Sequence, residues 1–158
     1  MRFFALVALL TLSACGFSPV YSDRSTSNAI GQIEISVIPD RSGQIVRNYL
    51  IDQFYQDGYP ANASYRLDIA PILENIVEIG IDKDDEASRA QLRLSTNMRL
   101  INTRSNNVVL ERTVRATSGY NILAGQFTTF VTEQDARAQA LKAISEDILT
   151  QIELYFDQ

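Results

Sequence analysis

Two sets of residues in this 158-residue chain have the types and settings to do chemistry: a single cysteine near the start and a group of arginines in the middle. Cys15 follows Leu12-Ser13-Ala14, behind Arg2 and a nearly unbroken apolar run from Phe3 to Leu12. A positive start, a short apolar stretch and small residues before a cut are the parts of an export signal. The stretch is too short to span a bilayer, which takes about 20 apolar residues. The tetrad ending in Cys15 resembles the bacterial lipobox, in which the thiol takes a diacylglycerol thioether before a peptidase cuts just ahead of it. Residues 1–14 are therefore expected to be a cleaved signal peptide and Cys15 to be the lipidation site. An ordinary secretory signal with a chance cysteine would leave one bare thiol, unable to form an internal disulfide, in an oxidising compartment. Each buried acyl methylene adds about 0.8 kcal/mol, so two or three chains hold a protein to a membrane where one does not. Gly16 stands where aspartate commonly signals inner-membrane retention, which points to an outer-membrane anchor on the periplasmic side.

The arginines are unevenly placed. Residues 88–118 hold Arg89, Arg93, Arg99, Arg104, Arg112 and Arg115 against Glu111 alone, whereas residues 133–158 hold six acids against Arg137 and Lys142, within a net charge of -5. Planar guanidinium groups suit phosphate, which they can hold through two parallel hydrogen bonds. Arginines on an exposed strand face also keep a protein soluble and discourage edge pairing. An exported, lipidated protein meets phosphorylated lipid headgroups rather than nucleic acid, and this tips Arg66, Arg89, Arg93, Arg99 and Arg115 toward a ligand-binding face.

Other chemistry is poorly provided for. The chain has no histidine and no second cysteine, which removes the commonest general base, the commonest metal ligand and every Cys/His or Ser/His nucleophile arrangement. No enzymatic activity and no cofactor beyond the covalent lipid are expected. Asp82-Lys83-Asp84-Asp85-Glu86 has carboxylates enough to suggest calcium but lacks the loop glycine and the spacing, so it reads as a solvated hairpin tip with no metal.

The elements that must position these residues follow from periodicity. Residues 15–31, with Pro19 and a Ser/Thr/Asn-rich run, read as a lipidated N-terminus and tether; residues 32–158 read as one domain. Ile33, Ile35 and Val37 alternate with polar residues as a strand, and Pro39-Asp40 supplies a helix N-cap. A helix over 41–56 follows, with Ile45, Val46, Tyr49, Leu50 and Phe54 on one side and Gly58 closing it. From Tyr65 to Ile81 one long strand places Tyr65, Leu67, Ile69, Leu73, Val77, Ile79 and Ile81 inward; Pro71 demands an edge position or a bulge. The clearest alternation sets Ala90, Leu92, Leu94, Met98 and Leu100 against Arg89, Arg93 and Arg99. Val108, Leu110, Val114 and Ala116 mark a further strand with Arg115 outward; Arg112 breaks its pattern, by a bulge or a frayed apolar face. Residues 119–131 read as a loop whose Tyr120, Phe127 and Phe130 either face a partner or, the reading preferred for aromatics near element ends, tuck in as core, and Thr132 with Asp135 opens a last helix. Its stripe is Ala136, Ala140, Leu141, Ile144, Ile148, Ile152 and Tyr155. The expected fold is α+β, a two-layer sandwich in the order β-α-β-β-β-α: a four-stranded, mostly antiparallel sheet with both helices on one face and the other face polar and arginine-rich.

Four segments carry a family resemblance: Cys15-Gly16-Phe17-x-Pro19-Val20-Tyr21; Ile38-Pro39-Asp40-Arg41-x-Gly43-Gln44-x-x-Arg47-Asn48; Tyr120-Asn121; and Glu133-Gln134-Asp135-Ala136. In their order, and with the strand and helix sequence, they resemble the LPS-assembly lipoprotein (LptE) family over essentially the whole mature chain. The resemblance implies an outer-membrane lipoprotein that plugs a large β-barrel of the LptD type, assists its assembly and takes part in delivering lipopolysaccharide to the cell surface, with no covalent chemistry. Members are also thought to bind lipopolysaccharide through basic residues; the alternation, not a family motif, selects Arg89, Arg93, Arg99 and Arg115 for that role. The competing class is a lipid-carrying or transport-accessory lipoprotein without a barrel partner. It ranks second because the alternating core consists of large side chains.

Overall fold

Among the described residues the main elements are, in chain order, β1 (Ile33–Ile35), α1 (Asp40–Phe54), β2 (Tyr65–Ile69), β3 (Leu73–Ile81), β4 (Ala87–Asn102), β5 (Asn107–Asn121) and α2 (Gln126–Phe156). The structure, a computed structural model, describes residues 28–56, 58–81, 87–122 and 125–157. Cys15, most of the tether and the acidic run 82–86 lie outside the described residues.

β4 is the strand on which the rest assembles. Ala90, Leu92, Leu94, Thr96, Met98 and Leu100 are buried, while Arg89, Arg93, Asn97 and Arg99 between them are exposed, the alternation a half-covered sheet requires. One edge of β4 pairs with β5 along its length; the other is shared end to end by β2 and β3, all antiparallel. β1 lies outside β2 and parallel to it, as a strand-helix-strand crossover allows. The sheet is thus four strands wide, as expected, but built from five, and both helices pack on one face.

Pro71 is the reason for the fifth strand, and it reverses an expectation. Ile69 faces Met98 whereas Leu73 faces Ser95, so four steps along the chain pass three steps of β4. The surplus residue is a bulge. Because side chains alternate with a period of two, one extra residue sends all that follow to the other face. Leu67 and Ile69 are buried under the helices, but Leu73 and Ile79 stand 67% and 43% exposed on the face that carries the arginines, with Val77 half-buried beside them. Glu74, Ile76 and Glu78 turn to the helix side instead. The bulge is pinned by the Ala70 N–H donating to the Asn97 carbonyl (2.9 Å) and the Thr96 hydroxyl donating to the Ala70 carbonyl (2.7 Å).

Both helix starts also differ from the sequence reading. In α1, Pro39 is the cap residue and no side-chain hydrogen bond caps the helix, while Asp40, where the helix begins, has a left-handed φ of 65°. Aspartate tolerates that left-handed corner better than most residues. Gly43, Val46, Leu50 and Phe54 form the buried stripe, and Ile45 stays out. β1 ends at Ile35, so Val37 is 75% exposed and Ile38 takes the buried place. α2 begins at Gln126, with its Thr129 N–H bonded to the Gly125 carbonyl (3.1 Å), and β5 extends to Asn121 opposite Arg89. Of the stretch read as a loop, residues 119–121 are strand and 126–131 are helix. Thr128 to Thr132 is poor in strong helix formers, which hides the first turns; the Thr132 signal marks where the packed stripe begins. Ala136, Ala140, Leu141, Ile144, Ile148 and Ile152 are buried as expected, and Tyr155 is half-buried. Phe127 and Phe130 are 80% and 56% exposed, so only Tyr120 of the three aromatics packs against the core.

Candidate functional site

The open sheet face is assembled from the odd-numbered residues of β4 and their cross-strand neighbours. Arg93 stands between Asn75 of β3 and Thr117 of β5, Arg89 between Ile79 and Asn121, and Arg115 opposite Ser95. Arg93 and Arg115 are diagonal neighbours, which brings their backbones to about 7–8 Å, within joint reach of one phosphate for side chains as long as arginine. Arg89 lies four residues further along the strand, about 13 Å away. These three face no carboxylate on the adjacent strands. Gln91 accepts a hydrogen bond from the Arg93 Nε (2.8 Å) and steadies its side chain.

Arg99 and Arg66 do not join this group. Arg99 stands between Asp68 of β2 and Glu111 of β5, and Arg66 donates to Asp68 at 3.1 Å. Their charges are balanced locally. No signal in a strand's own alternation reveals its neighbours' charges, so the sequence placed Arg99 beside Arg93 as an equal. Arg112 lies on the helix side of β5 at the sheet margin, in register opposite Met98, and donates to the Glu111 carbonyl (2.9 Å). The bulge of that strand pair falls elsewhere, between Leu100 and Ile101. Arg112 is thus neither a bulge nor the end of the apolar face but an exposed position between the buried Leu110 and Val114.

Asp68 has a structural role. Burial pushes its carboxyl up, but hydrogen bonds from Ser36 (2.6 Å) and Arg66, with the charges of Arg66 and Arg99, more than offset this and hold it below the usual range. A depressed folded-state value stabilises the fold above the unfolded value and loses that contribution as pH falls through the folded one. Asp68→Asn is expected to cost about 1–2 kcal/mol at neutral pH. The difference from wild type should shrink as acid titrates the carboxyl; denaturant unfolding at neutral and acidic pH that gave a constant gap would show Asp68 to be a bystander.

What is missing from an arginine-only description is the apolar half of the face. Leu73, Val77 and Ile79 form an aliphatic column on β3 immediately beside the β4 arginines. The register change at Pro71 puts it there, and the proline itself was the one available signal. The arrangement can grip an anion with guanidinium groups and lay an aliphatic chain alongside. At the end of the sheet where Arg89 pairs with Asn121, α2 projects Phe127, Phe130 and Val131 into solvent, and the Thr132 hydroxyl donates to the Asn121 carbonyl (3.2 Å) to hold that end together. Residues 28–32, where the chain enters the fold, sit at the opposite end beside Tyr65.

The helix side offers a different chemistry. A cleft of about 560 Å³ between α1 and α2 is lined by Gln32, Tyr49, Gln53, Glu146 and Glu153, with no cation among its lining residues. Burial, then the nearby Asp157, raises the Glu153 carboxyl above its ordinary range. This cleft repels phosphate. Among the described residues, no group of three or more Asp, Glu, Cys or His side chains is placed to hold a metal, and no helix is long and apolar enough to cross a membrane.

The model of the lipopolysaccharide-assembly LptE family matches residues 30–154. The chain belongs to that family. The same architecture occurs in a candidate lipoprotein from Caulobacter crescentus CB15, 18% identical, with a TM-score of 0.64 over 84% of this chain and 96% of that one. It occurs too in a minor lipoprotein from Acinetobacter baumannii, 19% identical, with a TM-score of 0.56 over 77% and 88%. Rare lipoprotein B from Shewanella oneidensis shares 9% identity at a TM-score of 0.55 over 75% and 93%. At such identities the likeness is one of fold. No curated protein matches the sequence.

Within this LptE-family chain, the segment Ile38 to Asn48 braces α1 against the end of β1. Gly43 lets α1 approach Ile38 closely, and Arg47 donates to the carbonyls of Ser36 (3.3 Å) and Ile35 (3.4 Å). Near the start of α2, Glu133 shares Arg137 with Glu74: the guanidinium meets Glu74 at 2.6 and 3.0 Å and Glu133 at 2.7 Å, tying α2 to β3.

Proposed function

We propose that this protein is an outer-membrane lipoprotein, anchored on the periplasmic side by acyl chains on Cys15, that forms a plug-type complex with a β-barrel lipopolysaccharide translocon of the LptD type. In this role it assists assembly of the barrel and delivery of lipopolysaccharide to the outer leaflet, with the open sheet face binding the lipid. Family membership supports lipopolysaccharide assembly. The observation that carries the rest is the pairing on one face of Arg89, Arg93 and Arg115 with Leu73, Val77 and Ile79, because a phosphorylated, acylated lipid presents both chemistries at once. The geometry of the two ends agrees with this reading. From Arg89 to Asn102, β4 spans about 43 Å, so a domain tethered near residue 28 holds its Phe127 and Phe130 tip well away from the anchored end. A carrier that shields lipid beneath its helices would need space where Leu50, Leu94, Met98, Ile144 and Ile148 lie in one packed cluster.

The test is a complex of fixed composition. With an affinity tag after Gln158, solubilised outer membranes are expected to yield one large β-barrel in about equal amount with the lipoprotein. Recovery of the lipoprotein alone would remove the barrel partner, and recovery of a barrel from inner-membrane fractions would remove the location.

A further inference from the structure

The sheet has three long or exposed edges, and they are finished differently. The outer edge of β1 is closed by side chains of α1 and its C-terminal cap: the Tyr55 hydroxyl accepts from the Ile35 N–H (3.2 Å) and donates to the Ile33 carbonyl (2.9 Å), while Arg47 covers the carbonyls of Ile35 and Ser36. The outer edge of β5 carries Arg112 and Arg115, the charged side chains by which strands resist edge-to-edge pairing. β3 differs from both: its only charged residues are Glu74 and Glu78. It is nine residues long and pairs with β4 alone among the described strands. From Leu73 to Ile79 it keeps an unbroken register and contains no lysine, arginine or proline. Leu73 and Ile79 on the open side and Ile76 on the helix side are each more than two-fifths exposed, with Glu74 and Glu78 flanking Ile76. A long, regular strand edge, unpaired among the described residues, is a template for another strand.

We infer that the outer edge of β3 binds an extended segment of a partner polypeptide as an additional strand, one that alternates aliphatic with basic side chains. The alternation follows from what each face offers. Open-side residues of the added strand would lie beside Leu73, Asn75, Val77 and Ile79 and extend the aliphatic column. Helix-side residues would lie beside Glu74, Ile76 and Glu78; Arg137 already holds Glu74, which leaves the Glu78 carboxylate to favour lysine or arginine there. A second copy of this chain offers no such cation, since β3 itself contains no lysine or arginine. The inference does not rest on the lipid reading, since the arginines of β4 and β5 take no part in it.

The probe is a nine-residue peptide alternating lysine and valine, added to the whole chain in detergent while backbone amide exchange is followed residue by residue. It is expected to slow the outward-facing amides of β3 by about tenfold or more and to leave those of the β5 edge unchanged. A glutamate-valine peptide and a lysine-proline peptide should have no effect, and Glu78→Lys should weaken the first peptide. A variant with Arg89, Arg93 and Arg115 replaced by alanine should respond as wild type does, which separates this surface from the lipid face. No slowing by the lysine-valine peptide would overturn the proposal. So would equal slowing by either control peptide, or protection of β3 that grows with protein concentration when no peptide is present, the sign of self-pairing.

Discussion

Gly43→Val is expected to cost about 3 kcal/mol of folding stability and to loosen α1 from the sheet. A Cβ at this position would stand 2.6 Å from Ile38 Cγ2 and 3.0 Å from the Ile38 backbone carbonyl carbon. Ile38 is fully buried and cannot swing aside, so the strain passes to the backbone. Relief requires α1 to move away, and that movement uncovers Val46, Leu50 and Phe54 together. Glycine in a helix interior is itself unfavourable by about 0.8–1 kcal/mol relative to alanine, so Gly43 is retained against local preference because the packing forbids anything larger. Gly119→Ala is the matched control, since a Cβ there would meet only the Ala90 carbonyl oxygen at 3.8 Å. Urea unfolding of the two variants measures the difference. A Gly43→Val protein within about 0.5 kcal/mol of wild type, the range of an ordinary surface change, would mean that α1 does not sit against Ile38.

The second large effect concerns the lipid face. Replacing Arg89, Arg93 and Arg115 together with alanine is expected to weaken lipopolysaccharide binding by about 10- to 100-fold, because charge-assisted contacts to phosphate are among the stronger polar ones. Arg99→Ala, in contrast, should change binding by less than about twofold, as an exposed and already balanced charge contributes little. The contrast separates this arrangement from a generally cationic surface, on which all four arginines would count alike. Affinity of the wild-type protein should fall as salt rises, since exposed charges act over about 8 Å at physiological ionic strength. Leu73→Ser with Ile79→Ser should weaken binding of the acylated lipid while sparing binding of its deacylated core, a split that a purely electrostatic face would not produce. Fluorescent lipopolysaccharide titrations report the affinities, with circular dichroism confirming that each variant is folded. Equal losses for Arg99 and for the other three would return the arginines to the role of solubilising a sheet.

Much of this was legible in the chain because much of it is local. The burial of Leu92, Leu94, Met98 and Leu100 against exposed Arg93 and Arg99, and the α2 stripe from Ala136 to Ile152, depend only on how side chains repeat along one element, and a period of 2 or 3.6 is written in the residues themselves. So is the setting of Cys15 behind its apolar run. The tertiary structure alone decided what depends on register between elements. Whether Leu73 and Ile79 face the helices or the arginines is set by one surplus residue at Pro71 against β4, and a proline announces a disruption without saying which way the chain resumes. Val37 and Ile38 exchanged places because the chain turns where α1 must dock, and Phe127 and Phe130 remained exposed because the helix outruns the sheet beneath it. Arg99 was separated from Arg89, Arg93 and Arg115 by Asp68 and Glu111, which are 31 and 12 residues away in sequence yet directly opposite in the sheet. A strand's own alternation names its two faces; only pairing decides what shares them, because cross-strand contacts join residues that no local period connects.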